Sequence, residues 1–184
     1  MGSGAFTRTE IASQADVWQA TLEKMAGQWQ ELSQQLEGLE RRPWVVIGCG
    51  STFYLASHAA SLLRSVGISA DAFPSSELPL FPLAHLPQDF VLLAISRSGT
   101  TTETLWAMDA YRRRFAATGS IISVTCVPGT PMIDKSDVVM LSEAAQEISV
   151  AQTRSFTSMV IMCQVLAALL AHDQTRLQSL GALP

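Results

Sequence analysis

The sequence predicts an α/β fold: a three-layer αβα sandwich around a five-stranded parallel sheet, with a long helix at its N-terminus. Three observations carry this. Short apolar runs such as Trp44-Val45-Val46-Ile47 and Phe90-Val91-Leu92-Leu93-Ala94-Ile95 alternate with helix-length segments of mixed polarity, as strands joined by crossover helices do. Both runs end in small polar loops, Gly48-Cys49-Gly50-Ser51-Thr52 and Ser96-Arg97-Ser98-Gly99-Thr100-Thr101. Ahead of them, Ile11, Ala15, Trp18, Leu22, Met25, Trp29, Leu32, Leu36 and Leu39 recur at steps of four and three, the spacing of one helical stripe.

The elements follow in order. Residues 1–10, opening on Met1-Gly2-Ser3-Gly4, are expected to be a flexible N-terminus. A long amphipathic helix over 11–42 ends at Pro43, whose ring and missing N–H stop a helix. It either lies on the domain or a partner subunit, or forms a coiled coil. The domain proper spans 43–184, with strands at 44–48, 68–73, 90–95, 120–126 and 137–141. Helices are expected at 52–66, 101–117 and 153–172, and Gly67 and Gly119 stand where helix C-termini need them. Both polar loops follow strands, the first and the third. In the flavodoxin-like order 2-1-3-4-5 those strands are neighbours, and ligands bind at the switch point between them.

Composition excludes several classes. The chain has 184 residues, enough for one domain with a full core. Its net charge of −4 argues against nucleic acid as a partner. Only 15% of residues are charged, against about 25% in an average globular protein. With so few charges, a buried apolar interface and a homodimer are expected, seated on the Ile11–Leu39 stripe. Cys49, Cys126 and Cys163 are widely spaced and form no CxxC pair, which supports neither a disulfide framework nor a zinc site. A reducing cytoplasm fits, and the longest apolar stretch, Met159 to Ala171, is too short for a bilayer. No cofactor, metal or membrane is called for.

The two loops suggest one anion held from two sides. Backbone N–H groups at helix N-termini attract anions, glycine allows close approach, and hydroxyls add donors. A dinucleotide reading of Gly48-x-Gly50, with Asp71 as the ribose acid, is disfavoured by Phe53 at the third fingerprint position, where a small residue is needed, and leaves the second loop without a role. No Gly-Lys-Ser/Thr of a Walker loop occurs. Ser96, Ser98, Thr100, Thr101 and Thr102 crowd one turn, and an ordinary N-cap needs one such residue.

These segments resemble the sugar isomerase (SIS) domain. The likeness runs through Gly48-Cys49-Gly50-Ser51-Thr52, Pro74-Ser75-Ser76-Glu77 and Ser96-Arg97-Ser98-Gly99-Thr100-Thr101-Thr102-Glu103-Thr104. It closes on Glu147-Ile148-Ser149-Val150-Ala151-Gln152-Thr153-Arg154-Ser155-Phe156-Thr157. It covers about residues 10 to 180 and is greatest to the first of two SIS domains in the isomerase half of glucosamine-6-phosphate synthase. Related phosphosugar isomerases and deaminases share it.

The resemblance implies a hexose or hexosamine 6-phosphate as ligand. Ser96, Ser98 and Thr101 would bind the phosphate, with Arg97 contributing its backbone N–H. Gly50, Ser51 and Thr52 would contact phosphate or sugar hydroxyls, and Val150 and Ala151 would line the sugar through their backbone. Arg97 replaces the family's common glutamine, its side chain either reaching the phosphate or solvated; Arg154 replaces a lysine. Cys49 has no base beside it. His58 reads as a packed or surface residue, and His172 as a cation at a helix end.

Interconverting an aldose and a ketose needs a base that moves a proton between adjacent carbons. In the two-domain relatives the glutamate, histidine and lysine that do this belong to the second domain and tail. This chain ends at Gly181-Ala182-Leu183-Pro184, about where that domain would begin. Glu147 and His85 are the candidates for proton handling here. Three readings stand: a fragment of a phosphosugar isomerase, aminotransferase or deaminase; two copies that pair; or a module that binds, senses or regulates without turnover.

Overall fold

The computed structural model describes residues 4–81, 86–116 and 118–183. Five strands, β1 (Trp44–Gly48), β2 (Ala70–Pro74), β3 (Val91–Ile95), β4 (Ser120–Thr125) and β5 (Val138–Leu141), form one sheet. Its order is β2-β1-β3-β4-β5 and every pairing is parallel. β1 and β3 are therefore neighbours, with Gly48 in register with Ile95.

The strands are short, apolar and rich in Val and Ile, because both faces are covered. Side chains alternate between the faces. Trp44, Val46, Leu93 and Val124 enter one buried cluster, while Val45, Ile47, Leu92 and Ile121 enter the other.

Helices α1 (Ala5–Ala12), α2 (Gln14–Gly27) and α3 (Trp29–Leu36) precede the sheet, and α4 (Ser51–Ser65) follows β1. The short α5 (Glu77–Leu80) follows β2, α6 (Thr102–Arg114) follows β3, and α7 (Pro131–Asp134) precedes β5. Helices α8 (Arg154–Leu170) and α9 (Gln174–Leu180) close the chain. Met25, Leu32, Leu63 and Leu166, from α2, α3, α4 and α8, fill the first cluster. Ala107, Met108 and Tyr111 of α6 fill the second.

Two expectations about the N-terminus need correction. Residues 5–10, expected to be flexible, are helical, and Glu10 is buried. The single helix over 11–42 is three segments with kinks at Ser13 and Gln28, ending in a 3₁₀ turn at Leu39–Arg41. Ser13 Oγ donates to the Glu10 carbonyl at 3.0 Å, a back-bond that bends helices. Gln28 follows Gly27, a weak helix former.

The kinks rotate the stripe. Val17, Thr21, Met25, Leu32 and Leu36 are buried, whereas Ile11 is exposed. The stripe packs on α8 within the same chain: Trp18 Nε1 donates to Thr157 Oγ1 at 2.9 Å. Part of the stripe expected to seat a homodimer is thus packed within the chain, while Ile11 and Ala15 stay exposed and Trp18 and Leu22 are half-buried.

Candidate functional site

The site begins where β1 and β3 end side by side. Gly48 is the tightest point: a Cβ there would lie 2.2 Å from the Thr52 carbonyl oxygen. Its absence lets α4 start directly over the strand end. Gly50 turns the chain with φ 60°, a conformation glycine adopts without a steric cost. Thr52 is buried and closes the turn on itself, accepting from the Cys49 N–H at 3.0 Å and donating to the Cys49 carbonyl at 2.9 Å. Ser51 is exposed at the first position of α4.

The second loop wraps its hydroxyls inward. Ser96 Oγ and Thr101 Oγ1 are 3.0 Å apart, and the Gly99 N–H donates to Ser96 Oγ at 3.2 Å. Ser98 Oγ accepts from the N–H and the hydroxyl of Thr100, at 3.3 and 3.1 Å. Gly99 has φ 64°, and a Cβ there would overlap Thr130 Oγ1 at 2.2 Å. Thr130 Oγ1 itself is buried and makes no hydrogen bond among the described residues. Ser75, after β2, is bonded below both loops, its N–H to the Gly48 carbonyl and its hydroxyl to Thr104. Ser96 and Thr101 thus meet at one strand end, beside the turn that carries Gly50, Ser51 and Thr52, whereas the Ser98 hydroxyl is turned to Thr100.

The third part is the segment 146–153. Its side chains at Ile148 and Val150 are 73% and 92% exposed. Glu147 is fully buried. It accepts from the Thr153 N–H at 3.0 Å, the Thr153 hydroxyl at 2.8 Å and the Ser155 hydroxyl. A carboxylate so hydrogen-bonded orders its own loop. His85 lies outside the described residues. His58 is exposed on α4, and His172 is exposed with φ 53° between α8 and α9.

Arg97 neither points to the hydroxyl cluster nor floats in solvent. Nη1 donates to the Ser149 carbonyl at 3.1 Å and the Val150 carbonyl at 3.5 Å, and pairs with Glu147 Oε1 at 3.5 Å. Arg154 ties the segment to the first kink through the Gln146 carbonyl and Ser13 Oγ.

Glu10 is the residue that sequence reasoning missed. Its carboxylate accepts from the Ile148 N–H at 2.6 Å, the Ser149 N–H at 3.2 Å and the Ser149 hydroxyl. Burial alone pushes its pKa up, but these hydrogen bonds and the Arg154 charge hold it below the ordinary value. A glutamate in a segment read as flexible gives no such signal.

Cys49 borders the site. Burial raises its pKa, and the charge and hydrogen bond of Glu103 add to the rise, which leaves a poor nucleophile. Among the described residues no group of His, Cys, Asp and Glu could hold a metal, and no helix is long and apolar enough to cross a membrane.

The SIS domain family profile matches residues 40–169. Glutamine--fructose-6-phosphate aminotransferase [isomerizing] of Pseudomonas aeruginosa is 31% identical over 180 residues, covering 94% of this chain and 29% of that protein. The chain therefore spans less than a third of that relative. Tagatose-6-phosphate ketose/aldose isomerase of Escherichia coli superposes with TM-score 0.82 at 22% identity, over 96% of this chain and 50% of that one. The Vibrio vulnificus NanR protein complexed with ManNAc-6P gives 0.70 at 20% identity, over 97% and 66%.

Proposed function

This chain belongs to the SIS domain family, and from that premise we propose that it binds a phosphorylated sugar between its two glycine–hydroxyl loops. The observation that carries this is the convergence of the Ser96 and Thr101 hydroxyls at 3.0 Å on the strand end that adjoins Gly48. Ser96, Ser98, Thr101 and the Arg97 N–H take the phosphate. Gly50, Ser51 and Thr52 cover it from the other side, and the backbone of Val150 and Ala151 lines the sugar. A dianionic phosphate suits such a place, because hydroxyl and N–H donors favour the charged form and a helix N-terminus adds its dipole.

The ligand is of the hexose or hexosamine 6-phosphate class. The related aminotransferase and isomerase have names that include sugar phosphates, and NanR was solved with ManNAc-6P. The domain serves as the sugar-phosphate-holding part of a phosphosugar isomerase, aminotransferase or deaminase. Its described residues position a substrate and offer no free carboxylate–histidine pair for moving a proton.

Ser98→Ala tests the assignment. Losing one hydrogen bond to a charged group costs about 1.5–3 kcal/mol, or roughly ten- to a hundred-fold in affinity. Calorimetry with glucosamine 6-phosphate reads this directly, and unchanged affinity would remove Ser98 from the site.

A further inference from the structure

We infer that Arg97 is a strut that ties the sugar-lining segment to the phosphate loop, and so a positioning residue for the sugar rather than a phosphate ligand. The inference rests on the proposed reading of the two loops.

The foot of the strut is fixed. The Arg97 carbonyl accepts from the Cys126 N–H at 3.1 Å and from Thr125 Oγ1 at 3.2 Å, which pins its backbone to the end of β4. The head is fixed too. Its guanidinium bonds the Ser149 and Val150 carbonyls and faces the Glu147 carboxylate. Ser149 is therefore gripped from both sides, its carbonyl by Arg97 and its N–H by Glu10.

Glu147 explains why the guanidinium stays there. A fully buried carboxylate needs a counter-charge, and removing that partner leaves a costly uncompensated ion. Arg97 is that cation. Swinging to a bound phosphate would strip Glu147 of it and release two carbonyls. Nη1 makes all three contacts, and the charge it brings to the Glu147 carboxylate is what a neutral glutamine amide cannot supply. Phosphate bound at 96–101 stiffens the foot, and the stiffness passes through Arg97 to the backbone of Val150 and Ala151. Preorganising that backbone lowers the cost of ordering it around a sugar.

The test compares Arg97→Gln and Arg97→Lys with the natural chain. Titrations with inorganic phosphate and with glucosamine 6-phosphate are read beside amide exchange of residues 148–153. In Arg97→Gln, phosphate affinity stays within about twofold, while glucosamine 6-phosphate loses about tenfold, as for one lost charge-assisted contact. Exchange at Ser149 and Thr153 quickens without ligand. Added inorganic phosphate slows exchange over 148–153 in the natural chain and not in Arg97→Gln. Arg97→Lys keeps the charge beside Glu147 and recovers part of both effects, and it carries the comparison if Arg97→Gln does not fold.

Equal losses for both ligands, or unchanged exchange at Ser149 and Thr153, would overturn the strut. If the natural chain binds neither ligand, the sugar-phosphate reading fails instead. The ligand-free exchange still decides whether Arg97 holds the segment.

Discussion

The α-carbon of Gly48 faces the backbone of Thr52 so closely that a methyl group at residue 48 would sit 2.2 Å from the Thr52 carbonyl oxygen. The obstacle is backbone at the start of α4, so no side-chain rotation relieves it. Gly48→Ala must push α4 away from β1 and with it the turn that carries Ser51 and Thr52. The expected loss is about 1–3 kcal/mol of stability, the usual cost of overpacking. Sugar-phosphate affinity should fall with it. Denaturant melting checks the first, and an unchanged midpoint would show that α4 has room to move.

The N-terminal stripe makes a separate prediction. Leu32 is 3% exposed and belongs to the core shared with α8. Leu32→Ala should cost about 2–5 kcal/mol. The loss should be the same in dilute and concentrated protein, because the packing is intramolecular. A melting temperature that rises steeply with concentration would place this stripe at a subunit interface.

Much of the architecture was legible in the sequence. Apolar runs ending at Ile47 and Ile95, each followed by glycine and hydroxyls, located two strand ends, and the family of topologies that makes them neighbours is small. The kinks were not legible. They depend on Ser13 turning back on the Glu10 carbonyl and on Gly27 weakening the helix before Gln28, against a stripe whose spacing alone allows one straight helix. The direction of Arg97 was also hidden. Its partners lie about fifty residues further on, at Glu147, Ser149 and Val150, and nothing local distinguishes a strut from a phosphate ligand. Glu10 escaped because a charged residue beside the N-terminus gives no hint of burial.

Glu10 predicts a pH dependence. Its folded pKa lies below the ordinary 4.5, so the unfolded chain binds this proton more readily than the folded one. The stability it contributes is therefore present above that ordinary value and is lost as pH falls through its depressed folded value. Glu10→Gln should be less stable than the natural chain at neutral pH. The gap should shrink as the solution is acidified below 4.5. Urea midpoints for both chains at neutral and acid pH decide it, and a gap that stays constant or widens in acid contradicts the assignment.

The thiols predict a chemical pattern. Burial pushes Cys163 up to about 12, and burial together with the Glu147 charge pushes Cys126 up to about 12. Cys49 also lies above its ordinary 9.0. At neutral pH a thiol reagent should label Cys49 slowly and the other two only on unfolding, because the thiolate is the reactive form. Glucosamine 6-phosphate should slow Cys49 further. Rapid labelling of Cys126 in the folded protein would mean that the 146–153 segment, whose Glu147 lies near it, opens readily.

The central claim is that the loops hold a phosphate and that the phosphate supplies most of the affinity. Calorimetric titration of the same chain with glucosamine 6-phosphate and with glucosamine tests it most directly. The account predicts clear binding of the phosphorylated sugar, and affinity for the unphosphorylated one weaker by at least about a hundredfold, the worth of two or more charge-assisted hydrogen bonds. Equal affinity for the two sugars would contradict it.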